Sequence, residues 1–135
     1  MVKPTVVEPF TGEAEVFPVQ SQRGTWCIIL PSDPSALVLQ NTKQKILGEN
    51  FRVCPDRFII DFTETRLIDT QFVDEMLRLI KIFEVLGARA AVCGISPTLG
   101  ASISMLELLP THISAFSSLD RAIKELKNSD SDTLL

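Results

Sequence analysis

Histidine is nearly absent from this chain of 135 residues: His112 alone follows Pro110 at an expected strand entry, where a structural or surface role is the ordinary one. There is no phosphate-binding glycine loop, no metal-ligand cluster and no nucleophile beside a general base, so no cofactor and no metal are expected, and the chain is not expected to be an enzyme. The cysteines number three, Cys27, Cys54 and Cys93, an odd count at long spacings that argues against a disulfide frame. Cys27 and Cys93 each sit inside an apolar run and read as buried structural thiols. No apolar run approaches the roughly 20 residues that a membrane span needs. The stretch from Met1 to Glu8 lacks the apolar core and small-residue cleavage site of a secretory signal, so the expected location is cytoplasmic, with no membrane partner. Basic residues are scattered and fewer than acidic ones, 13 against 17 for a net charge of -4, so nucleic acid is not an expected partner.

What is present fits one compact domain. A hydrophobic fraction of 45% is ordinary for a globular chain of this size. Residues 1–14 carry Pro4, Pro9 and Gly12 without a sustained period and read as a flexible leader; residues 15–127 read as the domain, and residues 128–135 as a disordered tail. Val16 to Val19 and Trp26 to Leu30 are two short apolar runs across the turn-rich Gln20 to Gly24, the pattern of a hairpin, in which Phe17 and Trp26 are core or interface anchors. Asp33 before Pro34 predicts the cap of a first helix over Ser35 to Leu47, ended by Gly48. Phe58 to Ile60 predicts a central strand covered on both faces. From Thr70 to Leu86, apolar residues recur at three- and four-residue spacings, which predicts a helix ended by Gly87. Ala88 to Ile95 predicts a further strand, and Ser96-Pro97 a helix running to about Leu108. Ile113 to Phe116 predicts a last strand, followed by a helix capped by Ser117 or Ser118 with Leu119, Ala122, Ile123 and Leu126 on one face. Strands alternating with helices predict an α/β fold with a mixed, mainly parallel five-stranded sheet and four helices.

The segment from Ile59 to Phe72 stands out, because an apolar strand passes through an acidic turn into a helix whose first residue, Thr70, carries a hydroxyl. Between Asp61 and Arg78, five acids (Asp61, Glu64, Asp69, Asp74, Glu75) face two bases (Arg66, Arg78), a formal balance of -3. Asp61, Glu64 and Asp69 could be drawn as an acid-base pair or a magnesium site, but acids on a loop are ordinarily solvated. Capping of the helix alone would account for Thr70 or Asp69.

Together, the element order, the strand Phe58-Ile59-Ile60-Asp61-Phe62, the turn Ile68-Asp69-Thr70, Leu86-Gly87-Ala88 and Gly94-Ile95-Ser96-Pro97 resemble the STAS domain, the fold of anti-sigma-factor antagonists. The likeness covers about Glu15 to Lys127 and is nearest to the scaffold proteins of the bacterial stressosome, which carry an Asp-Ser or Asp-Thr pair before the second helix and a Gly-Ile-x-Pro run before the third. The resemblance implies a non-enzymatic signalling and scaffold module. It would bind a protein kinase of the switch type or an anti-sigma factor, be reset by a phosphatase, and associate with itself or with other STAS proteins. It further implies phosphorylation at Thr70 and, in the helix after Pro97, at Ser102, with Ser104 nearby; the plain reading of Ser102 is a small residue on a helix surface. Asp69, Thr70, Gln71, Asp74, Gly94 and Pro97 are the expected partner-binding residues. The chain departs from the resemblance in carrying threonine where the short partner type usually has serine, and in having only fourteen leader residues where the regulator type has a sensory domain. Two rivals are a small-ligand or nucleotide-binding domain that cradles an anion at the same turn, and a hydrolase using Asp69 and Thr70. The turn lacks glycine, which limits how closely its backbone can wrap a phosphate.

Overall fold

The computed structural model describes residues 14–19, 24–49, 56–99 and 112–125. The elements run β1 (Glu15–Pro18), β2 (Thr25–Ile29), α1 (Ala36–Glu49), β3 (Arg57–Asp61), α2 (Thr70–Val85), β4 (Arg89–Cys93), α3 beginning at 97, β5 (Ser114–Phe116) and α4 described over 119–125. Ser102, Ser104, Cys54, Leu126, the stretch to Leu108 expected to be helical, and the expected tail and leader up to residue 13 lie outside the described residues.

The sheet order is β1-β2-β3-β4-β5. β1 and β2 form the expected antiparallel hairpin, with Val16 opposite Ile28, and β2 through β5 are all parallel. This is the mixed, mainly parallel five-stranded sheet that the alternation of strands and helices predicts. Parallel strands need coverage on both faces, which is why β3 reads as an unbroken apolar run rather than an alternating one.

Successive strand residues point to opposite faces. Ile28, Ile60 and Val92 align across three strands and enter the larger core, together with Val38 and Leu39 of α1, Phe72, Met76, Leu79, Ile80 and Phe83 of α2, and Leu99 of α3. The alternate residues Ile59, Ala91 and Cys93 form a smaller cluster with Ala122 of α4, bordered by Phe116, Leu119 and Ile123. Phe58 meets Phe83 edge-on at 4.7 Å between ring centroids, and Phe62 meets Phe72 at 6.4 Å, so aromatic contacts join β3 and the loop after it to α2. Trp26 packs half-buried against the larger core, whereas Phe17, at 36%, stays exposed.

Three local features differ from the sequence reading. α1 starts at Ala36, so Asp33 and Pro34 precede it by more than a cap; Ser35 stands immediately before the helix and its carbonyl accepts from the Val38 amide at 3.0 Å. Pro34 is buried, spending its ring on packing rather than on opening the helix. The helix also runs through Gly48 to Glu49, since one helical glycine costs only about 1 kcal/mol. The third concerns Asp61, which closes β3 and is only 5% exposed instead of lying on a solvated loop.

Cys27 and Cys93 are free and buried, as expected. Burial, and secondarily the Asp61 carboxylate, push the Cys27 thiol from 9.0 up to about 12. The same causes in the same order hold the Cys93 thiol well above its ordinary value, with an added hydrogen bond to Asp61. The folded state therefore holds the Cys27 proton more tightly than the unfolded chain. This stabilisation is fully present below pH 9.0 and is lost as pH rises toward about 12. Both thiols should resist alkylation at pH 8 and react once denaturant unfolds the chain, as counted by mass spectrometry. Rapid labelling of either in the native protein would contradict their placement.

Candidate functional site

In this parallel arrangement the C-terminal ends of β2, β3 and β4 feed directly into the N-termini of α1, α2 and α3, so the connecting turns gather at one end of the sheet. The turn after β3 is braced from below and from the side. Phe62 donates its amide to the Cys93 carbonyl at 2.8 Å, while the Thr65 hydroxyl donates to the Pro31 carbonyl at 2.9 Å. The Arg66 amide reaches the Ser32 carbonyl at 2.7 Å. These bonds fix the path of residues 62–69 against the turn leading into α1, and hence the direction in which α2 starts.

At the base of the turn lies the buried carboxylate that the sequence reading misplaced. Asp61 Oδ1 accepts from the Thr63 amide at 2.9 Å and from the Thr63 hydroxyl at 2.6 Å, a local side-chain turn characteristic of aspartate. Gly94, at the end of β4, sits against this pair with φ +75; a Cβ there would collide with Thr63 Oγ1 and come within 2.8 Å of the Thr63 amide nitrogen and 3.0 Å of Asp61 Oδ1. Its own amide donates to the Phe116 carbonyl at 3.1 Å. The need for glycine at 94 is therefore met inside the chain, by close packing of the two turns. An aspartate that ends an apolar strand and precedes threonine by two residues was the available signal for this bracket.

Asp69 is the N-cap of α2: its backbone is extended at φ -114 and ψ 177, and its carboxylate accepts from the Phe72 amide at 2.8 Å. Thr70 is the first helical residue and is exposed. Among the described residues its hydroxyl has no hydrogen-bond partner, so the capping role that could have accounted for it belongs to Asp69. Gln71 and Asp74 are exposed beside it. Asp69→Ala should cost about 1 kcal/mol of stability in urea unfolding, and Thr70→Ala less than about 0.5 kcal/mol. Equal losses at the two positions would reverse the assignment of the cap.

Pro97 is exposed at the start of α3, where Ser96 caps by accepting from the Leu99 amide at 3.1 Å. At α4 the cap is Ser118, which accepts from the Arg121 amide at 3.2 Å.

The exposed charge at this end is smaller than a count along the sequence suggests. Asp61 is internal, and Glu75 is half-buried with Arg78 3.8 Å away. Glu64, Asp69 and Asp74 remain exposed against Arg66, three acids to one base. Leu67, 61% exposed, and Leu37 in the first turn of α1, 60% exposed, add apolar surface at the same end of the sheet. The apolar character of Leu67 was visible in the sequence; its exposure follows from the backbone bonds that hold its turn outward. Among the described residues no group of histidine, cysteine and carboxylate side chains could hold a metal ion, and no helix is long and apolar enough to cross a membrane.

No family model matches the sequence, and no curated protein matches it. Solved structures do. An RsbS variant of Moorella thermoacetica superposes with a TM-score of 0.71 at 16% identity, covering 87% of this chain and 97% of that one. A chain from the stressosome, described as a signal integration and transduction hub, gives 0.66 at 16% identity over 86% and 98%. The Bacillus cell-fate determinant SpoIIAA in its phosphorylated form gives 0.63 at 18% identity over 84% and 98%. Identities this low carry the architecture and not the chemistry, and the coverage of each partner is nearly complete: the chain has the STAS fold.

Proposed function

We propose that this chain is a phospho-regulated protein-binding module, with Thr70 as the phosphoryl acceptor and the surrounding end of the sheet as the surface that a partner reads. The observation that carries this reading is the division of labour at the start of α2. The Asp69 side chain accepts from the Phe72 amide, while the neighbouring hydroxyl is exposed and, among the described residues, without a partner. A free hydroxyl at the first helical position also lies where the helix dipole favours an added anion by ~0.3 to 1 kcal/mol. The structural likeness to a phosphorylated SpoIIAA, an RsbS variant and a stressosome chain supports the same reading.

In this reading the partner is a protein kinase of the switch type or an anti-sigma factor, and a phosphatase restores the unmodified state. Asp69, Gln71, Asp74 and Pro97 would border the contact; Gly94 would hold the turns in place below it. Association with other STAS chains, and modification of Ser102 or Ser104, belong to the same proposal.

Phosphopeptide mapping after incubation with the switch kinase and ATP tests it. Label is expected on the tryptic peptide Leu67 to Arg78, in which Thr70 is the sole hydroxyl residue, and should vanish in Thr70→Ala. Label confined to other peptides would overturn the assignment of Thr70.

A further inference from the structure

The opposite end of the sheet holds a second feature. β5 pairs with β4 only from Ala91 opposite Ser114 onward, so Arg89 and Ala90 extend past the start of β5. A cleft of about 330 Å³ opens there, at the small end of the range for ligand pockets. Ala90, Ala91 and Phe116 are its apolar lining residues, and Arg89, Ser114, His112 and Glu84 its polar ones.

The polar groups are not equivalent. His112 Nε2 lies 2.6 Å from Glu84 Oε2, which occupies that carboxylate and ties the last turns of α2 to the segment entering β5. Arg89 is exposed and, among the described residues, has no ion-pair partner. A planar guanidinium, a serine hydroxyl and an apolar lining together suit an oxyanion head on a compact apolar body. Thr70 and Glu84 are fourteen residues apart on one helix, so the cleft lies roughly 21 Å from the hydroxyl at the other end.

We infer that the cleft between the C-terminal end of α2, β4 and β5 binds a small organic anion, a carboxylate or a phosphate ester, through Arg89 and Ser114. Glu84 bounds the site, and its carboxylate opposes the charge of any bound anion.

The site is tested with benzoate and phenyl phosphate, each titrated into the full chain and followed by backbone-amide NMR to about 10 mM, which saturates a site with a Kd near 1 mM. Saturable shifts are expected at Arg89, Ala90, Ala91, Ser114 and Phe116. They should weaken at least tenfold in Arg89→Gln, whose exposed side chain can be changed without disturbing the core, and strengthen in Glu84→Gln. Absence of saturable shifts with both probes, shifts unchanged in Arg89→Gln, or shifts centred instead on Asp69 to Gln71 would each overturn the inference. None of these outcomes bears on phosphorylation of Thr70, which the mapping experiment decides separately.

Discussion

Gly94→Val should lower stability by on the order of 3 kcal/mol, a large part of the ~5 to 15 kcal/mol that holds a domain of this size. Two effects add. A β-branched residue forced to φ +75 is strained by about 1 to 3 kcal/mol, and the Cβ would press on the Thr63 backbone, 2.8 Å away, which cannot turn aside as a flexible side chain could. Thermal melting should therefore fall by roughly 10 °C. Gly87 provides the internal comparison. It also has positive φ, at 99, and closes α2 by donating to the Glu84 carbonyl at 3.0 Å while Ala88 donates to the Phe83 carbonyl at 2.8 Å. No atom lies within 4 Å of a Cβ there, so Gly87→Ala should cost only about 1 to 2 kcal/mol of backbone strain. A Gly94→Val protein that melts with the wild type would remove the bracket joining the two turns.

Thr70→Glu should leave the fold intact and remove partner binding. The exposed side chain costs no packing, and a carboxylate in the first helical turn gains a few tenths of a kcal/mol from the dipole. The melting temperature should stay within a few degrees of wild type. Docking is another matter, because an interface matched to the unmodified turn already faces Glu64, Asp69 and Asp74. A further negative charge in a desolvated contact costs several kcal/mol, about 100-fold or more in affinity. The interface effect outweighs the dipole, so on the proposed function a modification of Thr70 would change which partner binds rather than whether the chain folds. Loss of structure in Thr70→Glu, by circular dichroism, would count against that separation.

Much of this architecture is written locally. The strands around Ile28, Ile60 and Val92 and the stripe from Phe72 to Phe83 are apolar at the spacings their elements require, so the element order follows from the chain alone. The turn before α2 and its hydroxyl were equally legible, because Asp69 and Thr70 are residue types with few other reasons to sit together there. Which of the two caps the helix was not legible: either side chain can accept an amide bond, and only the backbone geometry at Asp69 separates them.

Asp61 was misread for a related reason. A carboxylate after an apolar run looks like the first solvated residue of a loop, and its burial depends on Thr63, Cys93 and Gly94, the last two more than thirty residues on. The cleft at Arg89 was out of reach altogether, since it arises from the register of β5 against β4 and from a histidine meeting a glutamate of another element.

The proposed function rests on Thr70, and the most direct measurement is the affinity of the switch kinase or anti-sigma factor for the unmodified chain compared with the chain phosphorylated at Thr70 alone, by calorimetry at one ionic strength. The phosphorylated protein is expected to melt like the unmodified one and to bind at least about 100-fold more weakly. Equal affinity of the two forms, with both folded, would contradict the proposed function.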